Sequence, residues 1–168
     1  GLVRDLSLNN HIPLEDKAIL IIGAGGAVRG VIEAILKAQP ASLLIANRTA
    51  EKAIQLASDF SDLGNISGCG LDNIGNRRFD IVINGTSASL QGDLPPIPET
   101  VFNENACSYD MMYAKQETVF MQWSKENGAA HIFDGLGMLV EQAAEAFYIW
   151  REVRPETVSV IEKIRDSL

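Results

Sequence analysis

Lys17-Ala-Ile-Leu-Ile-Ile-Gly-Ala-Gly-Gly-Ala-Val-Arg29 decides how the rest of the chain folds. Its apolar run, Ala18 to Ile22, stops at Gly23, and Gly25 and Gly26 follow at once. A strand buried on both faces of a parallel sheet needs such an unbroken run. Glycine lacks Cβ, so the chain can turn sharply and bring its backbone close to a ligand. From Ala27 the pattern becomes helical. The free N–H groups at a helix start, aided by the helix dipole, suit an anion such as a dinucleotide pyrophosphate. Gly23, Ala24, Gly25, Gly26 and Ala27 are therefore expected to cradle a pyrophosphate, against two rivals: a ligand-free turn and the similar glycine turn of methyltransferases. The dinucleotide fingerprint has a third small residue where helix and strand pack closely. Here that position is Val28, which predicts a helix standing slightly further off.

Outward from this turn, strands and helices alternate. A helix over about Ala27 to Ala38 turns Val28, Ile32, Ile35 and Leu36 inward and ends before Pro40. Upstream, residues 2–8 make a short helix that stops near Asn9, Asn10 and Pro13. Downstream, Ser42 to Ala46 is a second apolar strand, and Thr49 caps a helix with Ala53, Leu56, Ala57 and Phe60 inside. Ile66 to Cys69 is a weaker third strand and Phe79 to Asn84 a strong fourth. A polar Gly/Ser loop and the proline-rich Leu94 to Pro98 come next. Cys107 to Met111 and Ala130 to Phe133 are two more strands, with a helix over Thr118 to Asn127 between them. Met138 to Trp150 reads as a helix with Leu139, Ala143, Ala146, Phe147 and Trp150 at helical spacing. Pro155 breaks it before a last amphipathic helix. This alternation predicts an α/β fold of the Rossmann type: a doubly wound, mostly parallel six-stranded sheet between two helix layers.

At 168 residues the chain is one domain, able to bury roughly 70% of its unfolded surface. A net charge of −8 argues against nonspecific nucleic-acid binding, which needs a basic surface. No apolar run approaches the roughly 20 residues that span a bilayer. Cys69 and Cys107 match no metal or redox spacing, which points to reduced thiols in a cytoplasmic protein. The sequons at Asn47, Asn65 and Asn84 are then accidental, and His11 and His131 stand in no partner pattern. Gly1-Leu-Val-Arg-Asp-Leu6 has neither the basic nor the apolar region of a secretory signal. Without an initiator Met, the chain is expected to be a piece of something longer.

The cofactor is chosen at the end of the second strand. An NAD site places Asp or Glu there to hold the ribose 2′-OH, but this chain has Asn47-Arg48-Thr49. A carboxylate would repel a 2′-phosphate, whereas Arg48 offers a planar fork of donors. Lys52, on the first turn of the next helix, adds a second positive charge. The alternative is a solvated basic pair on an acidic protein; the pattern favours NADP.

Taken together, G-A-G-G-A at 23–27, N-R-T at 47–49, N-G-T-S at 84–87, Y-D-M-M-Y at 109–113 and D-G-L-G-M-L-V-x-Q-A at 134–143 resemble shikimate dehydrogenase, specifically its C-terminal NADP-binding domain. The motifs keep the family's order from Gly1 to about Trp150. The resemblance implies reversible reduction of 3-dehydroshikimate to shikimate with NADPH, in the chorismate branch of aromatic amino-acid biosynthesis. It further implies that Asn47, Arg48, Thr49 and Lys52 hold the 2′-phosphate and that Thr86 and Ser87 lie beside the cofactor. Met111 and the backbone of Gly135 would border the nicotinamide, and Tyr113 and Gln142 would reach the substrate. Taken alone, Tyr113 could cover a loop, Gln142 could cap a backbone group, and Met111 could be core. Asp110 and Asp134 are expected to be turn or capping residues. The family usually has Ala at Gly85 and Gly at Ser89, so the loop departs from its pattern there. No catalytic residue is expected in this chain: the family's catalytic Lys and Asp belong to an N-terminal substrate domain and its junction, towards which the helices over 138–168 would pack. Two rivals remain, a stand-alone NADP-binding or sensor module and a dehydrogenase turned towards quinate.

Overall fold

In the computed structural model, which describes residues 1–168, β1 (Ala18–Ile22) lies inside the sheet and feeds side chains to both faces. Ile19 and Ile21 enter one core, Leu20 and Ile22 the other, as the two-residue period of a strand requires. The sheet also holds β2 (Ser42–Asn47), β3 (Ile66–Gly70), β4 (Phe79–Asn84), β5 (Phe102–Asp110) and β6 (His131–Asp134). Their order is β3-β2-β1-β4-β5-β6, and every neighbouring pair is parallel. The chain order reverses between β1 and β4, the place where open α/β sheets bind ligands at their carboxyl ends. The expected doubly wound α/β fold is the one observed.

The helices α2 (Gly26–Lys37) and α3 (Ala50–Asp59) close the first core with Val28, Ile32, Ile35, Ala53 and Leu56. The second core is closed by Phe120 of α4 (Val119–Glu126), whose start is capped by Thr118 accepting from the Met121 N–H at 3.2 Å. Thr49 occupies the N-cap position of α3 without a side-chain capping bond. At the amino end, α1 (Leu2–Arg4) runs into a π-helical turn, Asp5–Asn9, one residue beyond the expected stop.

Two expectations need correction. β5 begins at Phe102, not Cys107: Phe102 pairs with Phe79 and Cys107 with Ile81, so the ladder shifts register in between. Asn103 donates to Asp80 at 2.9 Å and Asn105 takes φ +60 within that irregularity. The polar residues that satisfy the bulge hide the strand from an apolar reading. The second correction concerns α5 (Leu136–Arg151), which begins at Leu136, not Met138. It buries Leu136, Gly137, Val140, Glu141 and Ala144, while Leu139 is 44%, Phe147 46% and Trp150 80% exposed. The apolar residues at helical spacing thus face outward. The helix is rotated by polar anchors: Glu141 accepts from Arg4 Nε at 2.9 Å, Thr157 Oγ1 at 2.7 Å and Asn9 Nδ2 at 3.3 Å. Burial alone would raise the Glu141 carboxyl, but these bonds outweigh it and hold it below its ordinary value. The last helix, α6 (Val158–Ser167), buries no residue; its Arg165 fork grips Asp134 at 2.5 and 2.6 Å.

Candidate functional site

Parallel strands end on one edge, so the segments after β1, β2, β4, β5 and β6 all emerge there. The turn after β1 begins with Gly23 at φ +107, a conformation that needs glycine. Its N–H donates to the Ala46 carbonyl at 2.8 Å, tying it to β2. Gly25 and Gly26 are different. Gly25 is extended at φ −86 and ψ −176, so its backbone does not demand glycine. A Cβ on Gly25 or on Gly26 would meet no protein atom within 4 Å. Nothing inside the chain explains these two missing side chains, and both face solvent at the start of α2, where unpaired N–H groups point outward. Such a space fits a phosphate-bearing ligand pressed against the backbone.

Beside this space a hollow of about 180 Å³ is lined by Ala24, Gly25, Asn47, Arg48, Thr49 and Lys52. Asn47 Nδ2 donates to the Thr49 carbonyl at 3.0 Å, which shapes the turn, and Arg48 stands exposed. Neither Arg48 nor Lys52 joins an ion pair. Arg29 is committed, by contrast, to Asp59 at 2.7 Å. Two uncommitted cations beside open backbone N–H groups are suited to a polyanion.

A larger groove of about 510 Å³ runs from Gly23, Asn47 and Arg48 to Thr86 and Ser87. Its far wall was not anticipated: Leu71, Gln91, Asp93 and the Leu94-Pro95-Pro96 lip close it. The proline-rich run was the only hint of that wall in the sequence. Thr86 is held from below: its N–H and its hydroxyl donate to Asn84 Oδ1 at 3.1 and 2.8 Å. Asn84 in turn donates to Asp110 Oδ1 at 3.2 Å, and Thr118 donates to Asp110 Oδ2 at 2.7 Å. Burial pushes the Asp110 carboxyl up, against these hydrogen bonds. Asp110 also receives the Met112 N–H at 3.1 Å, and Asp134 receives that of Leu136 at 3.2 Å. Both are turn or capping residues, and Asp110 additionally orders the Thr86 loop.

The structure joins Met111 and Gly135 closely. A Cβ on Gly135 would overlap the Met111 carbonyl oxygen. Both are buried, and neither lines either hollow. Tyr113 and Gln142 are exposed and line neither hollow. Ala27 is exposed on the first turn of α2.

Residues 5–91 match the family model described as shikimate / quinate 5-dehydrogenase, and residues 135–165 match that of the shikimate 5′-dehydrogenase C-terminal domain. The chain is 54% identical over 168 residues to a shikimate dehydrogenase (NADP(+)) of Cellvibrio japonicus, covering 100% of this chain and 60% of that protein. Among solved structures, an Ael1 enzyme from Pseudomonas putida shares 44% identity at a TM-score of 0.88, over 96% of this chain and 59% of that one. A 5-ketofructose reductase of Gluconobacter, in its ligand-free form, shares 27% identity at 0.82, over 100% and 62%. The chain thus spans about 60% of the length of the curated relatives it matches.

Proposed function

Since the chain belongs to the shikimate / quinate 5-dehydrogenase family, we propose that it is the NADP(H)-binding domain of an enzyme that interconverts 3-dehydroshikimate and shikimate. The observation that carries this reading is the pair Gly25 and Gly26 facing open space beside the uncommitted Arg48 and Lys52. The cofactor, when bound, supplies or accepts a hydride. The start of α2 offers N–H groups to its pyrophosphate. Asn47, Arg48, Thr49 and Lys52 surround its 2′-phosphate, and Thr86 and Ser87 line the groove between. Met111 and Gly135 back the nicotinamide, and Tyr113 and Gln142 offer polar groups to the substrate from one wall.

The remaining wall, with the catalytic Lys and Asp, belongs to the part of the relatives that this chain does not span. Leu139, Phe147 and Trp150 expose a row of apolar side chains along α5, and rows of this kind mark interaction surfaces. In this reading residues 1–168 are the cofactor domain, and the helices over 138–168 seat the substrate domain on that row. Substrate choice then rests largely on the other domain. Likeness to a 5-ketofructose reductase supports that division, and quinate is the competing substrate. A reduced, cytoplasmic setting suits the two unpaired cysteines; burial pushes the Cys107 thiol up to about 12, so it stays protonated. No helix is long and apolar enough to cross a membrane.

Arg48→Ala tests the cofactor assignment. Losing charged hydrogen bonds to a phosphate costs about 1.5–3 kcal/mol, so NADPH affinity should fall roughly 10- to 150-fold while NADH affinity barely changes. Equal losses by calorimetry would overturn it.

A further inference from the structure

Gly85, one residue past β4, is a glycine whose missing side chain is explained by the protein itself. A Cβ there would overlap Val28 Cγ2 and stand 3.2 Å from the Ile22 carbonyl oxygen and 3.3 Å from Met111 Sδ. Gly85 cannot simply retreat, because its N–H donates to that same Ile22 oxygen at 2.8 Å. On its other side lies Gly23, whose own Cβ would come within 3.3 Å of the Gly85 carbonyl carbon and 3.2 Å of Thr86 Cγ2. Val28 cannot yield either. It is fully buried on the first turn of α2, and a β-branched side chain in a helix has essentially one χ1 rotamer. The dinucleotide turn calls for a small residue at the position of Val28, so that helix and strand approach closely. Here the bulk stands on the helix and the missing atom on the facing segment.

We propose that Val28 and Gly85 are a matched pair of positioning residues for the cofactor seat. Val28 fills the notch that Gly85 leaves, and this contact sets how the first turn of α2 stands against the Gly23 turn and the Thr86 loop. A methyl group on Gly85 drives these pieces apart and spoils the alignment of the helix N–H groups with the pyrophosphate. Shortening Val28 makes room for that methyl and restores the alignment. The inference deepens the NADP reading and rests on it.

Three chains are compared: the unsubstituted protein, Gly85→Ala, and Val28→Ala combined with Gly85→Ala. Each is titrated with NADPH, and with adenosine 2′-phosphate, which reaches the Arg48 and Lys52 side without the pyrophosphate. Contacting residues couple strongly enough that Gly85→Ala should weaken NADPH about tenfold or more. Adenosine 2′-phosphate should bind all three chains alike, which a general loosening of the fold would not allow. The double variant should recover most of the lost NADPH affinity. If Gly85→Ala binds NADPH as well as the unsubstituted chain, or the double variant is no better than the single, the pairing is overturned and the NADP reading stands. If the unsubstituted chain takes up no NADPH, that reading falls and the pair with it. Should Gly85→Ala fail to fold, the double variant must fold and bind; a double variant that stays unfolded also overturns the pairing.

Discussion

Two glycine-bearing turns lead from a strand into a helix on the same edge of this sheet, and they use glycine for opposite reasons. After β1, Gly25 and Gly26 have no protein atom within 4 Å of where a Cβ would be. After β6, a Cβ on Gly135 would overlap the Met111 carbonyl oxygen, and one on Gly137 would overlap the Asp5 carboxylate. Asp5 is held there by two hydrogen bonds, since Tyr109 Oη donates to it at 2.6 Å and Asn9 Nδ2 at 2.8 Å. One turn leaves open space beside its glycines; the other lets the chain touch itself. The same residue type at the same place in a strand–helix unit therefore carries two meanings, and only the surroundings separate them.

The sharpest way to break this contrast is Gly25→Val. Side-chain atoms there enter the space assigned to the pyrophosphate, so NADPH affinity should fall by more than about 1,000-fold, or about 4 kcal/mol. The ligand-free protein should melt almost where the unsubstituted one does, since a Cβ there faces open space. Undiminished NADPH binding in calorimetry would place the phosphate elsewhere.

The turn after β6 should give the reverse pattern. Gly135→Ala and Gly137→Ala both overpack, which costs about 1–3 kcal/mol and occasionally more. In a domain of this size each kilocalorie moves the melting temperature by about 2–4 °C, so losses of roughly 2–12 °C are expected without any ligand present. The Met111 backbone has less freedom than the Asp5 side chain, so Gly135→Ala should lose more. Differential scanning calorimetry decides it: a melting temperature unchanged in both variants would show that the close approaches are not needed.

The fold was legible because β1 and β2 hold continuous apolar runs and β4 holds one over Ile81–Ile83, and such runs name buried parallel strands directly. The role proposed for Arg48 after β2 was readable because the ribose position follows the strand at a fixed offset. What stayed hidden depended on partners distant in sequence. The rotation of α5 is set by Glu141 meeting Arg4 and Asn9, more than a hundred residues away, and helical periodicity cannot anticipate that. Leu71 and the Leu94–Pro96 lip close a groove only because β3 and the loop after β4 converge there. The support of Thr86 by Asn84 and Asp110 runs across two strands. The glycines were plain in the sequence, but which of them press against distant parts of the chain was not.

Gly26→Ala is the smallest effect and the finest test of that last distinction. Gly26 and Gly137 each stand within the first two residues of a helix, α2 and α5. Neither has a positive φ, so alanine is sterically acceptable to both backbones. Helix propensity favours alanine over glycine by up to about 1 kcal/mol, partly because glycine leaves a more disordered unfolded chain. At Gly137 the clash with Asp5 overrides that gain. At Gly26 nothing opposes it, so the ligand-free protein should become more stable by about 0.5–1 kcal/mol, a rise of about 2–4 °C at most. NADPH binding should weaken in the same variant, because the added methyl stands where the ligand meets the helix start. A stabilising alanine excluded from the natural chain is then explained by the ligand alone. Thermal melts with and without NADPH separate the two effects. A Gly26→Ala chain destabilised without ligand would mean that this glycine, too, serves the protein's own packing, and the contrast between the turns would close.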